Sequence, residues 1–378
     1  MSKKIIFVNQ RRLTDPVLSK VVDQYSYDWQ RLHQLTIWSK FNSFYPRAGV
    51  NNIPLDNNMI TQLNYTMPEY NKNFQKNFDE ITNERCKEIL ALYKDYPIVI
   101  LWSGGIDSTV AVASVLKNTT VAERKQIIIG YNGVSVYENP QFFLKHIQPN
   151  FQLIDVATIT EDSLNIDDYY LVDGEPADQL YSGGISQGLL LDDPGALTRN
   201  LHSDPDRLLK YLATATDDSK FAQWFYELIM ENIKSVDIPI ETYHDFFWWF
   251  QFNYTWADVQ LRNRPKPCDK ETFQRYLTNK IHWYDTGDYQ QWSMTNNQLG
   301  IKFNNNLGEY KLAAKKYIYD LDHNEYYFKF KTKKHSIYRN GVNSRPHPFC
   351  ILDDYTSLML ETDLDKILDL LPEHILSK

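Results

Sequence analysis

The spacing of apolar positions changes near residue 97. Upstream, the stretch Asn71 to Tyr96, NKNFQKNFDEITNERCKEILALYKDY, carries Phe74, Phe78, Ile81, Cys86, Ile89 and Leu90 at helical intervals. This predicts an amphipathic helix whose apolar stripe enters the core. From Pro97 the chain turns to short apolar runs, IVILW (98–102), QIIIGYN (126–132), FQLIDVAT (151–158) and YYLVDG (169–174), separated by spacers of helical character. Apolar runs without alternation belong to strands covered on both faces, and strands separated by helices pair in parallel. An α/β domain with a parallel sheet is therefore expected over residues 94–205. Beyond about residue 205 helical periodicity takes over in DRLLKYLATA, FAQWFYELIMENI and FFWWFQFNYTWADVQLR. Residues 206–378 are expected to be mainly helical, and residues 1–93 form a short, partly helical N-terminal region. No repeat or low-complexity tract interrupts this order.

Composition narrows the classes. The 378 residues are 43% hydrophobic and 14% aromatic, which is enough for a large core. The three cysteines, Cys86, Cys268 and Cys350, show no CxxC spacing, so neither a disulfide framework nor a zinc cluster is indicated and a reducing compartment is expected. The N-terminal MSKKIIFVNQRR has basic residues without a long apolar segment, and no stretch approaches the roughly 18 to 20 apolar residues of a membrane span. A cytoplasmic protein without a membrane partner is expected. The net charge of -8 argues against extended binding to a phosphate backbone, so nucleic acid is not an expected partner. The most basic stretch, KFKTKKHSIYR (Lys329 to Arg339), reads on its own as a solvated hairpin or loop. His244, His282, His335 and His347 show no metal-ligand spacing and receive no role. The aromatic-rich segments FFWWF (Phe246 to Phe250) and YDTGDYQQWSM (Tyr284 to Met294) read as core or pocket wall.

The candidate chemistry begins in VILWSGGIDSTVAVASVL, Val99 to Leu116. Glycine-rich backbone between a strand and a helix presents N–H groups and the positive end of the helix dipole, an arrangement suited to phosphate. Neither GxxxxGK[ST] nor GxGxxG occurs here. The segment SGGIDS resembles the PP-loop of the N-type ATP pyrophosphatases, which hold the pyrophosphate of ATP and cleave between its α and β phosphates. Ser103, Gly104, Gly105, Asp107 and Ser108 match the defining positions. A second stretch, LVDGEPADQLYSGG (Leu171 to Gly184), resembles the SGEGADELFGGY element of the asparagine synthetases and β-lactam synthetases. Gly174, Glu175, Ala177, Asp178, Leu180 and Gly183 agree with it, while Pro176 and Gln179 replace Gly and Glu.

The resemblance implies an adenine nucleotide α-hydrolase-like fold that binds ATP and Mg2+. Asp107 and Asp178 would hold the magnesium that bridges the phosphates. Ser103, Gly104, Gly105 and Ser108 would line the pyrophosphate, Asp173 and Gly174 would lie near adenosine through their backbone, and Tyr131 would face adenine. Glu175 matches a family carboxylate near the substrate amine, where a general base is useful. Taken as residues alone, Asp178 is equally a helix cap and Glu175 equally a surface residue of its loop.

A third segment, LGEYKLAAKKYIYDLDHNEYYFKFKTKKHS (Leu307 to Ser336), is similar to the synthetase stretch K.LLR.A...LP..I..R.K..F. Lys311 falls on its opening lysine, and Lys331, Lys333 or Lys334 on the lysine that the family brings to charge developing on pyrophosphate and the tetrahedral centre. Position 2 is Ser2 where glutamine-dependent members expose a catalytic cysteine, and only about 90 residues precede the loop. Nitrogen is thus expected from free ammonia, a separate amidotransferase or an amine substrate. The expected function is an ATP-dependent ligase, forming AMP and pyrophosphate, that adenylates a carboxylate for attack by a nitrogen nucleophile. Two alternatives stand beside it: a PP-loop enzyme that modifies a nucleobase or tRNA, against which the dispersed cysteines count, and a nucleotide-binding module without turnover.

Overall fold

A computed structural model of the chain describes residues 67–92, 96–156, 169–182, 195–216, 219–256, 278–297, 301–303 and 310–332. It also describes the single positions Arg47, Ala48, Leu189, Asp193 and Val259, and three terminal strands as backbone. The strands in chain order are β1 (Ile5–Val8), β2 (Ile98–Leu101), β3 (Ile127–Tyr131), β4 (Gln152–Asp155), β5 (Tyr170–Asp173), β6 (Lys280–His282), β7 (Phe349–Asp353) and β8 (Ser357–Leu360). The helices that frame the site are α1 (Phe78–Leu92), α2 (Ile106–Asn118), α3 (Gly133–Glu138), α4 (Ala177–Tyr181), α5 (Pro205–Thr216), α6 (Ser219–Ile233), α7 (Tyr243–Trp249), α8 (Gly287–Thr295), α9 (Leu312–Asp322) and α10 (Glu325–Phe330).

Five strands make an all-parallel sheet in the order β4-β3-β2-β5-β6. The chain enters at the central β2, steps out to β3 and β4, and returns to the other side of β2 for β5 and β6. The strand order therefore reverses between β2 and β5, the place where open α/β sheets leave a crevice at their carboxyl edge. A separate antiparallel sheet joins β1, β7 and β8, with β7 in the middle.

Four strands lie within the apolar runs, and the inner three, β2, β3 and β5, are covered on both faces while the edge strand β4 is only half-buried. Ile98, Ile100, Ile127, Ile129 and Val172 join the large core with α1, α2 and α4, while Val99, Ile128 and Leu171 form a smaller cluster on the opposite face with Leu101, Ile154, Val156 and Tyr169 packed against it. The fifth strand, β6, comes from the region beyond residue 205, where helices were expected. Only Ile281 of its three residues is apolar and buried in the main core, so no run of hydrophobic positions marks it in the sequence. Helix α1 starts at Phe78, later than the pattern suggested, because Asn77 caps it. The Asn77 side chain accepts from Glu80 N–H at 2.9 Å and Glu80 accepts from Asn77 N–H at 2.8 Å. Its predicted stripe is buried at Phe78, Ile81, Cys86 and Ile89. Burial pushes the Cys86 thiol up to about 12, which leaves it unreactive.

The helical region supplies one wall of the core. Every residue of α7 is buried, and its indoles find partners there, Trp248 Nε1 donating to Ser293 Oγ at 2.8 Å and Trp249 Nε1 to Asn232 Oδ1 at 3.2 Å. The aromatic segments thus act as core, as the sequence pattern suggested. Among the described residues no helix is long and apolar enough to cross a membrane.

Candidate functional site at the strand-order reversal

The two loops that carried the sequence motifs leave β2 and β5 at the reversal point. After β2, the chain passes through Ser103, Gly104 and Gly105 into α2. Gly105 occupies the N-cap position with no side-chain cap, so the first turn of α2 faces the crevice with its N–H groups and dipole. The loop is braced internally: Ser103 N–H donates to Ser108 Oγ at 3.0 Å, the two hydroxyls lie 3.0 Å apart, and Thr109 Oγ1 donates to Gly105 O at 2.7 Å.

The two glycines differ in what they are for. Gly104 has a φ of +75°, and a Cβ there would come within 2.3 Å of Ser135 O on α3, so backbone conformation and helix packing already demand glycine. Among the described residues a Cβ on Gly105 would meet only Ser103 Oγ, at 3.2 Å. Gly174, at the end of β5, lets that loop close onto α2, since a Cβ would sit 3.0 Å from Ser108 N and 3.1 Å from Asp107 Cβ.

Asp107 in the first turn of α2 and Asp178 in the first turn of α4 meet across this contact through Lys311. The Lys311 ammonium donates to both carboxylate oxygens of Asp107 at 2.5 Å and lies 2.7 Å from Asp178 Oδ1. Lys311 is 2% exposed and is held in the left-handed backbone region, φ 55°, just before α9. Such strain in a residue other than glycine costs about 1 to 3 kcal/mol and collects at functional sites. Burial alone would push its ammonium down, but Asp107 and Asp178 outweigh that and hold it well above the ordinary lysine value. Tyr284 Oη donates to Asp107 O at 3.1 Å, and the Tyr181 and Tyr310 rings flank the ammonium with centroids 5.7 Å away.

A phosphate-bridging magnesium ion needs hard oxygen ligands. Asp107 and Asp178 already converge on one cationic nitrogen, so the pair fits such an ion. No group of three or more His, Cys, Asp or Glu residues with metal-binding geometry occurs among the described residues, so its remaining ligands would come from phosphate and water.

The other sequence candidates fall around this trio. Asp173, the last residue of β5, points its carboxylate at β6, where it pairs with His282 Nδ1 at 2.8 Å and with Lys280 Nζ at 3.5 Å, and accepts from Glu175 N–H at 3.1 Å. Burial would raise this carboxyl, but the charges of His282 and Lys280 and the hydrogen bonds hold it well below the usual carboxylate range. Glu175 is half-buried in the loop, its carbonyl accepting from Tyr284 N–H at 3.2 Å. Tyr131 ends β3 at the same edge of the sheet, its ring 5.2 Å from that of Phe143. Lys331 follows α10 and forms a largely buried ion pair with Glu138, the residue whose side chain abuts Gly104. It is therefore not part of a solvated strip, although Lys329 is. Lys333, Lys334 and Gly183 lie outside the described residues.

Comparison of the chain with family models, curated proteins and solved structures returned no match.

Two residues carry more of this site than the sequence suggested. Lys311 had a signal, its place at the head of the third segment, but no assigned role. His282 was set aside for want of metal-ligand spacing; the strand pairing that sets it opposite Asp173 gives it a partner no linear spacing could reveal.

Proposed function

We propose that the chain is an ATP-dependent synthetase that cleaves ATP to AMP and pyrophosphate, adenylating a carboxylate for capture by a nitrogen nucleophile. The observation that carries this reading is the convergence of Asp107 and Asp178, from the two motif loops, on a single cation at the β2–β5 reversal. That position, with an uncapped helix N-terminus facing it, suits a nucleotide triphosphate lying over the carboxyl edge of the sheet. Magnesium held by Asp107 and Asp178 would neutralise the departing pyrophosphate.

The chain's own groups divide the remaining work. The Gly105 backbone and the first-turn N–H groups of α2 receive the β and γ phosphates, with the Ser103 and Ser108 hydroxyls beside them. Lys311, whose ammonium the magnesium would displace from Asp107 and Asp178, would then turn its positive charge to the phosphates, a hold that strengthens as charge builds on the leaving group. Lys331, paired with Glu138 beside the loop, offers a further positive charge to that region. Tyr131 marks the adenine end, and the Asp173–Gly174 backbone borders the adenosine. The tight joint between Gly174 and α2 keeps the acyl acceptor loop against the phosphate loop, so both halves of the reaction share one site. Ammonia from a separate donor, or an amine, would complete the reaction in the cytoplasm.

A screen of carboxylic acids for ATP–pyrophosphate exchange tests this reading. Exchange that depends on magnesium and on one class of carboxylate is the expected result. Tight ATP binding with no exchange for any acid would favour a nucleotide-binding module, in which Lys311 permanently neutralises the two aspartates.

A further inference from the structure

The carboxyl end of β6 holds a buried pair that the steps above do not use. His282 and Asp173 stand at matching register on adjacent parallel strands, with Nδ1 2.8 Å from the carboxylate. A carboxylate only accepts, so Nδ1 carries a proton in either state of the ring, and it is the neutral imidazole whose Nε2 presents a lone pair. His282 is 7% exposed, and Nε2 has no hydrogen-bond partner among the described residues. A buried polar atom left without a partner is unfavourable. A ligand that donates to Nε2 removes that cost.

The pair belongs to the same crevice. Immediately after His282 the chain runs along the β5 loop, Trp283 N–H donating to Asp173 O at 2.9 Å and Tyr284 N–H to Glu175 O at 3.2 Å, and then Tyr284 Oη reaches Asp107 O. Arg85 of α1 fixes this turn from below by donating to the carbonyls of His282 and Trp283, both at 3.1 Å. Strand order separates the two ends of the site. Tyr131 lies on β3, on one side of the β2–β5 crevice, and His282 lies on β6, on the other. With adenine over β3 and the phosphates at α2, the β6 side is the end of the crevice left for an incoming acceptor.

We infer that His282 Nε2 binds the nitrogen nucleophile and takes its proton, with Asp173 as the positioning residue. This rests on the synthetase reading above. In the transfer step the nitrogen lone pair attacks the acyl carbon of the acyl-adenylate and a C–N bond forms. The N–H proton passes to Nε2, and the bond from the acyl carbon to the phosphate oxygen breaks, its electron pair leaving on AMP. Asp173 stabilises the resulting imidazolium, which then returns its proton to water. A lone-pair acceptor selects a ligand rich in N–H donors, so the substrate on the β6 side is ammonia or a small amine, and the carboxylate substrate lies nearer α2 and its cations.

The two half-reactions separate this inference from the reading it rests on. ATP–pyrophosphate exchange with the active carboxylate reports adenylation alone, and rapid-quench amide formation with ammonium chloride reports transfer. His282→Asn, which can still donate to Asp173, should keep exchange within about threefold and lower transfer at least about 100-fold, in line with loss of a general base. His282→Ala should show the same split, with transfer partly restored by added imidazole. Asp173→Asn should lower transfer about tenfold or more. Transfer that is unaffected in His282→Asn, or exchange and transfer that fall together without imidazole rescue, would overturn the role of His282. A transfer defect confined to Glu175→Gln would reassign the proton to that carboxylate. Absence of exchange in the unaltered protein would overturn the synthetase reading and this role with it.

Discussion

Lys311 sits between two carboxylates that would otherwise face each other across the joint of α2 and α4. Replacing it with Met removes the shared cation and leaves Asp107 and Asp178 opposed in a partly buried setting, a loss expected to cost about 1 to 3 kcal/mol, below the cost of breaking a fully buried pair. Thermal denaturation should show a lowered Tm for Lys311→Met, partly recovered by millimolar magnesium, because a dication can take the place of the ammonium. An unchanged Tm would mean that the two carboxylates do not depend on this lysine. Asp173 gives a pH signature with a definite sign. Its carboxyl is depressed in the folded state, so the stabilisation is present above the unfolded carboxyl value of about 4 and is lost as pH falls through the folded value. The stability difference between the unaltered protein and Asp173→Asn should be largest near neutral pH and should shrink below about pH 4 in denaturant titrations. A difference that is constant from pH 7 to pH 3 would contradict the pairing with His282 and Lys280. Neither partner was legible in the sequence, because Lys280 and His282 flank a single apolar residue and gain their meaning only from the register of β6 on β5.

At the scale of elements, the SGGIDS loop separates a requirement of folding from a requirement of binding. Gly104→Ala forces a side chain into positive φ against the Ser135 carbonyl, and should cost at least about 2 kcal/mol of stability. Gly105→Ala meets only a serine hydroxyl at 3.2 Å, so the protein should fold normally while ATP affinity drops, as measured by calorimetry. If Gly105→Ala binds ATP as well as the unaltered chain, this backbone does not approach phosphate. The sequence made both glycines look like phosphate contacts, since φ and the approach of α3 are invisible without tertiary structure. The strands β2, β3 and β5 were legible to within a residue, because burial on both faces leaves an unbroken apolar run, whereas β4, half-buried at the edge of the sheet, ends three residues before the run that predicted it. The start of α1 was misjudged by the apolar stripe alone, which extends through Phe74; the Asn77–Glu80 capping box decides the boundary.

At the scale of the whole molecule, the site exists because distant segments meet at one edge of one sheet: the loops after β2 and β5, the turn after β6, and Lys311 at the head of α9. The sequence named most of these residues from two motifs and a lysine-bearing segment. It did not show the order of strands, which follows from how the crossovers pack and which alone creates the crevice between β2 and β5. Nor did it show that Lys331 spans from the end of α10 to Glu138 on α3, closing the loop region from the other side. The central claim is that this edge cuts ATP between its α and β phosphates. Phosphorus-31 NMR of the nucleotide products, with magnesium and the carboxylate that supports exchange, tests it most directly. AMP and pyrophosphate in equal amounts, lost in Asp107→Asn and Asp178→Asn, are predicted, whereas ADP and orthophosphate would contradict the account.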